Sequence, residues 1–131
     1  MLVSLSITGL YAGLLTVLFI GLSINIIRLR YQYKTGIGDG GNEMLAKAIR
    51  VHGNFSEYIP LALLLLGIYE MNGASPLWLH VLGASLFIGR ILHAVGLTKS
   101  SGVSKQRQIG MISLFIVLLI LAIENIRLFI S

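Results

Sequence analysis

Five charged or amide side chains recur along one stretch of the chain at the spacing of a helix face. They are Glu43, Lys47, Arg50, Asn54 and Glu57, separated by steps of 4, 3, 4 and 3 residues. Residues three, four and seven positions apart share one face of an α-helix. We therefore expect these five residues to form one polar stripe along a helix. Its cationic, anionic and amide groups together suit a small zwitterionic or anionic ligand.

The polar stripe lies in a strongly apolar chain. Of 131 residues, 56% are hydrophobic and 11% are charged, whereas a soluble domain has about 25% charged residues. Four long, largely apolar segments cover about residues 2–27, 43–71, 77–97 and 108–130. Each exceeds the roughly 20 residues that a helix needs to cross a bilayer. The sequence therefore predicts an all-α membrane protein, a single domain of four transmembrane helices.

Charges inside these segments limit where the polar stripe can lie. The first half of the second segment is too polar to face lipid, and Arg90 in the third segment lies at a depth similar to that of Glu57. Such charges usually face a bundle interior, a cavity or a partner charge. The stripe should therefore be buried between helices or subunits. A structural alternative is an interhelical Glu57–Arg90 ion pair with Asn54 bonded to a neighbouring helix, which explains two or three of the groups.

The distribution of basic residues predicts the orientation. Eight basic residues lie in or next to the first and third connections, namely Arg28, Arg30, Lys34, Lys47, Arg50, Lys99, Lys105 and Arg107. Only Arg127 lies near the opposite ends of the segments. Basic loops remain in the cytoplasm. Both connections should therefore be cytoplasmic and both termini on the opposite side. The formal charge of +5 thus reports orientation and gives no reason to expect a nucleic-acid partner.

Local sequence signals predict where two of the helices begin. They also argue against a dinucleotide site and a metal site. Asn42 is suited to cap the second helix and Pro76 to begin the third. A GxGxxG match at residues 36–41 has no preceding strand, so a dinucleotide site is not expected. The chain has no cysteine, and its three histidines lack a metal-binding spacing, so no metal site is expected.

Two motifs resemble the MAPEG family, the membrane-associated proteins in eicosanoid and glutathione metabolism. The helix-two motif of that family is similar to residues 48–60, which read AIRVHGNFSEYIP. Its second landmark is similar to residues 89–93, GRILH, and the loop of its bacterial members to residues 38–41, GDGG. The resemblance covers the entire chain. It implies a homotrimer in a membrane, which in a bacterium would be the inner membrane.

The resemblance also implies a glutathione site at each subunit interface, near the cytoplasmic side. The residues that would hold glutathione are Arg50, Asn54, Glu57 and Tyr58, with Arg90 and His93 as further candidates and Arg30 supplied by a neighbouring subunit. Arg50 would bind a carboxylate and Glu57 the ammonium group. Arg107 is the expected catalytic residue, because an arginine near the thiol favours the thiolate; Lys105 is the alternative. The animal enzymes place tyrosines where this chain has His93 and Leu97.

Three functions remain open from the sequence. The first is a glutathione transferase or peroxidase that acts on hydrophobic electrophiles dissolved in the bilayer. The second is a non-catalytic MAPEG-like protein that binds glutathione or another small anion, or is a structural partner. The third is a small transporter that uses Glu57 as a proton-coupled site, although no broken helix pair or inverted repeat supports it.

Overall fold

Four long α-helices account for nearly all of the described chain. The computed structural model describes residues 4–99 and 105–131, without the side chains of residues 97–99. The helices are α1 (Ser6–Tyr33), α2 (Glu43–Met71), α3 (Pro76–Lys99) and α4 (Lys105–Ile130). The predicted start of the first span at residue 2, residues 100–104 of the third connection and the Leu97 and Lys99 side chains lie outside the described residues.

All four helices are long and apolar enough to cross a membrane. Their outward-facing positions carry large apolar side chains, such as Val17, Leu64, Ile88 and Leu119, which are all strongly exposed. An exposed apolar surface on every helix is stable only when hydrocarbon covers it. The protein is therefore an integral membrane protein, and the prediction of an all-helical fold with four such helices is confirmed.

The helices alternate in direction. Near its start, α1 contacts the end of α2 through Glu70, while Ser23 further along α1 contacts His52 near the beginning of α2. Gly89 in α3 lies against Gly110 near the beginning of α4. We call the end where α1 and α3 finish the basic end. Within the described residues, α2 packs against all three other helices, and α1 does not contact α4.

Leucines fill the interior between the helices, and two glycines allow close approach. Leu15, Leu66, Leu82 and Leu121 are almost completely buried in one cluster. A Cβ atom at Gly83 would collide with the Tyr11 ring, and one at Gly110 would lie 2.5 Å from the Gly89 carbonyl oxygen. Small residues at such contacts let membrane helices pack closely. The contact of α3 with α4 therefore depends on Gly110.

The first helix continues beyond the apolar run that predicted it. Arg28 and Arg30 were expected in the connection after the first span, but they lie in the last turns of α1, which ends at Tyr33. Cations are favourable near the carbonyl end of a helix. Lys34 then adopts a left-handed conformation, with φ of 51°, and its N–H bonds back to the last turn. This C-cap turns the chain into the glycine-rich connection.

The beginning of α2 was predicted correctly, and that of α1 was not anticipated. The Asn42 side chain accepts a hydrogen bond of 2.9 Å from the Leu45 N–H, which confirms it as the N-cap. Leu5 precedes α1 and offers no capping side chain. Instead, the Glu70 carboxylate at the end of α2 accepts hydrogen bonds from the backbone N–H groups of Ile7 and Thr8, at 3.1 and 2.8 Å.

Candidate functional site

The polar stripe of α2 lies at the boundary between the buried and the exposed side of the helix. Asn54 is buried and Lys47 is half-buried, whereas Arg50 and Glu57 are exposed. One edge of the stripe therefore faces the other helices, and the other edge faces outward from the chain. The stripe can therefore interact both with the neighbouring helices of the chain and with a molecule outside it.

The outward edge carries an ion pair at membrane depth. The Arg50 guanidinium donates to the Glu57 carboxylate at 2.9 Å, and the two side chains are 59% and 52% exposed. With a rise of 1.5 Å per residue, Glu57 lies about 21 Å from the start of a helix about 43 Å long. The Glu57 carboxylate is therefore near the middle of α2, where a bare chain would present it to lipid, and the Arg50 guanidinium reaches toward it from about two turns nearer the start.

A glycine leaves room beneath this ion pair. Gly53 lies between Arg50 and Glu57 on α2, and a Cβ atom there would be 3.5 Å from Arg50 Nη1 and 4.0 Å from Glu57 Oε1. Gly53 has no predicted role in the sequence. A small side chain at this position would therefore make only ordinary contacts with the two charged groups.

The inward edge joins α2 to α3 through a buried arginine. Arg90 is 3% exposed, and its Nη1 donates a hydrogen bond to the Asn54 side-chain oxygen. Its Nη2 contacts Met111 Sδ at 3.4 Å, and its Nε has no partner. Glu57 is paired with Arg50 instead. The Glu57–Arg90 ion pair of the structural alternative is therefore wrong, whereas its other part, a hydrogen bond from Asn54 to a neighbouring helix, is confirmed.

Residues from three helices complete the neighbourhood of Arg90. His93, one turn further along α3, is 4% exposed, and the charges of Arg90, Arg107 and Arg50 all act on its ring. Tyr58 lies one turn after Asn54 on α2 and packs edge-on against Phe115 of α4, with ring centroids 5.6 Å apart. We call the following set the polar cluster: Arg50, Asn54, Glu57, Tyr58, Arg90, His93 and Arg107.

Arg30 is the one predicted site residue that lies outside the polar cluster of its own chain. Its Nη1 donates to the carbonyl oxygens of Thr35 and Gly38, at 3.2 and 2.9 Å. It thus ties the glycine-rich connection to the end of α1. Within one chain, the role of Arg30 is to hold this connection.

Among the described residues, the polar cluster combines three guanidinium groups with one carboxylate. Arg90 has only a neutral amide oxygen and a thioether as partners, although a buried cation normally requires an anion. Arg50 and Glu57 offer one positive and one negative group side by side at the surface. The cluster is therefore suited to a ligand that has a carboxylate excess and also an ammonium group.

Comparison with known proteins gives the same family over almost the whole chain. The model of the MAPEG family matches residues 8–127. The chain is 38% identical, over 120 residues, to the inner membrane protein YecN of Escherichia coli K12, an alignment that covers 92% of this chain and 90% of the relative. The YecN protein of Escherichia coli O6:H1 matches with the same identity and coverage. The protein described here is therefore a member of the MAPEG family.

Proposed function

We propose that the polar cluster binds glutathione and activates its thiol. The thiolate then attacks hydrophobic electrophiles, either as a transferase that forms a glutathione conjugate or as a peroxidase in which two glutathione molecules become a disulfide while a hydroperoxide is reduced to an alcohol and water. The observation that carries this proposal is the exposed Arg50–Glu57 ion pair near the middle of a membrane helix. Exposed charges at that depth require cover by protein or by a polar ligand. Glutathione has two carboxylates and one ammonium group, which complement this pair.

The individual contacts follow from the charges of the groups. The Arg50 guanidinium binds one glutathione carboxylate, while the Glu57 carboxylate accepts hydrogen bonds from the ammonium group. Asn54 and Tyr58 supply neutral hydrogen bonds nearby. Arg90 lies behind them without a carboxylate partner, and its positive charge favours an anionic ligand in front of Asn54.

Arg107 is the group proposed to activate the thiol. It lies in the first turn of α4, and its charge reaches His93 at the inner side of the cluster. A guanidinium next to the sulfur stabilises the thiolate, which is the nucleophilic form. The electrophile enters from the bilayer, because the cluster lies on a helix whose neighbouring surface is apolar.

A homotrimer would cover the outward edge of the polar stripe. In this arrangement a neighbouring subunit lies against Arg50 and Glu57 and contributes a basic residue, Arg30, to the ligand. Native mass spectrometry of the detergent-solubilised protein is expected to give three copies of the 14.3 kDa chain. A monomer at all detergent concentrations would contradict this arrangement.

Glutathione reaches the cluster from the cytoplasm if the basic end lies on that side of a bacterial inner membrane. The chain has no native cysteine, so single introduced cysteines report sidedness without background. In intact cells, a membrane-impermeant maleimide should label Ser131→Cys and leave Gly36→Cys unlabelled. The reverse labelling would overturn the orientation.

The enzymatic proposal is tested by a conjugation assay. Wild-type protein in detergent should conjugate glutathione to a generic hydrophobic electrophile above the uncatalysed rate. Arg107→Ala should reduce that rate by about 100-fold, the scale seen when one preorganised donor to a developing anion is removed. Lys34→Ala, which changes a basic residue outside the polar cluster, should retain full activity. Equal rates in wild type, both variants and the protein-free control would eliminate the proposal.

A second candidate function is a non-catalytic protein that binds glutathione or another small anion. Its motivation is that the animal enzymes of the family place tyrosines where this chain has His93 and Leu97. Glutathione would then raise the melting temperature by mass action without turnover. Turnover above background that depends on Arg107 would exclude this alternative.

A further inference from the structure

A cleft that does not belong to the polar cluster lies between α1 and α2 at the basic end, and Ala94 of α3 also lines it. Its volume is about 200 Å³. The apolar walls come from Leu22 and Leu29 of α1 and from Met44 and Val51 of α2. Each pair of wall residues spans seven positions, so the cleft extends about 10 Å along the helices.

Cationic and amide groups also line the cleft. Asn25 and Arg28 contribute from α1 and Lys47 from α2. Arg28 is exposed, and its guanidinium bonds to neutral amide oxygens, those of Asn25 at 3.0 Å and Gln32 at 3.5 Å. The cleft therefore combines apolar walls with two cations, neither of which contributes to the polar cluster.

Lys47 is the member of the polar stripe that turns toward this cleft. Its side chain is 23% exposed, and its ammonium lies 3.6 Å from the carboxylate of Glu43, which is 69% exposed. That separation is longer than the 2.7–2.9 Å of a strong charge-assisted hydrogen bond. Because the Glu43 carboxylate is largely in solvent, this pair contributes little to stability. The ammonium group can therefore also bind an anion that enters from the membrane surface.

We infer that this cleft binds the phosphate of an anionic phospholipid from the surrounding bilayer. The volume of about 200 Å³ limits what can enter the cleft. A phosphate and part of a glycerol backbone fit this space, but two acyl chains do not. The chains extend instead along exposed apolar positions of α1, Leu14 and Val17. These positions precede Asn25 and Arg28 by eleven residues and therefore share their faces of the helix.

The charge balance selects an anionic over a zwitterionic lipid. Arg28 and Lys47 together outweigh Glu43, which does not line the cleft. Basic clefts between membrane helices at the headgroup level commonly bind anionic headgroups. The inference is independent of glutathione binding, because it uses no member of the polar cluster.

Titration of the purified protein with defined lipids tests the inference. Phosphatidylglycerol and phosphatidylcholine with identical acyl chains are added to protein in a neutral detergent, and bound lipid is counted by native mass spectrometry. Wild type should bind phosphatidylglycerol more tightly. The affinity should fall about fivefold in Lys47→Gln and about 25-fold in Lys47→Gln/Arg28→Gln. Lys34→Gln removes a basic residue outside the cleft and should leave the affinity unchanged.

Two further measurements test whether the bound anion is a phospholipid and whether binding reflects more than the positive charge of this region. Ala48→Leu adds volume inside the cleft without changing any charge, and it should also weaken phosphatidylglycerol binding. Free oleate and inorganic phosphate should bind at least tenfold more weakly than phosphatidylglycerol. Equal binding of the two phospholipids, an unchanged affinity in the double variant, an equal loss in Lys34→Gln, or oleate binding as tight as phosphatidylglycerol would each overturn the inference.

Discussion

Replacement of Gly110 by alanine should separate α3 from α4 at the level of the polar cluster. The new Cβ atom would lie 2.5 Å from the Gly89 carbonyl oxygen, 3.0 Å from His93 Cβ and 3.1 Å from the His93 backbone nitrogen. All three atoms belong to α3 at or next to its backbone. They cannot rotate away as the end of a flexible side chain could.

The size of the effect follows from these distances. Ordinary contact begins at 3.4 Å, so α4 must move by about 0.9 Å from Gly89. Overpacking of this kind costs about 1–3 kcal/mol. Alanine is favoured over glycine in a helix by about 1 kcal/mol. Because the obstructing atoms are backbone, we expect the upper part of the cost range and a net loss of about 1–2 kcal/mol.

Reversible unfolding in mixed micelles, with SDS as denaturant and circular dichroism as readout, measures this change. Gly67→Ala is the matched control, since Gly67 also lies inside a helix and between helices. Its added Cβ atom would meet Thr8 at 3.6 Å and Leu5 at 3.8 Å, which are ordinary contacts. Gly67→Ala should therefore be neutral or stabilising by up to about 1 kcal/mol. If Gly110→Ala is as stable as Gly67→Ala, the close contact of α3 with α4 is not as described.

Two other substitutions probe contacts that hold the helix ends. Glu70→Ala removes the acceptor for two backbone N–H groups of α1 and should destabilise the protein by about 2 kcal/mol in the same unfolding assay. Glu70→Gln keeps one oxygen acceptor and should lose about half as much; full stability of Glu70→Ala would show that α1 is capped otherwise. Arg30→Gln loses the bonds to the carbonyl groups of the glycine-rich connection, so limited proteolysis within residues 34–41 should become several-fold faster. Arg28→Gln, whose guanidinium bonds only within α1, is the control, and equal cleavage of the two variants would contradict this role of Arg30.

The helices could be predicted because each segment that crosses the bilayer must itself be apolar and long enough to span it as a helix. Long apolar runs have few alternatives to transmembrane helices. Local chemistry also fixed the start of α2 at Asn42 and that of α3 at Pro76. The end of α1 was placed too early because hydropathy marks where the apolar run stops. The helix itself continues until Lys34 adopts a left-handed conformation.

The division of the polar stripe could not be predicted from spacing. At 100° per residue, its five members lie within an arc of about 80°, so the spacing places them together. Lys47 and Asn54 lie on one side of that arc, and Arg50 and Glu57 on the other. The boundary between buried and exposed positions runs between them, and the packing of α2 against its neighbours determines that boundary.

Contacts between distant parts of the chain could not be predicted from the sequence either. Asn54 and Arg90 are 36 residues apart, and Glu70 and Thr8 are 62 apart. The lack of a capping residue before α1 indicates that its first N–H groups need a partner. It does not indicate which carboxylate supplies one. Such pairs are fixed by helix register, which a single sequence leaves undetermined.

The most direct test of the account is the effect of glutathione on the melting temperature of purified protein. At a concentration about 100 times its Kd, glutathione should stabilise the wild type by about 2.7 kcal/mol, which is measured as a clear rise in melting temperature. Arg50→Ala should lose most of this rise, because a hydrogen bond to a charged group contributes about 1.5–3 kcal/mol. Arg28→Ala, which lies at the basic end outside the polar cluster, should retain it. No rise in the wild type at millimolar glutathione, or an equal rise in Arg50→Ala, would contradict the claim that the polar cluster is a glutathione site.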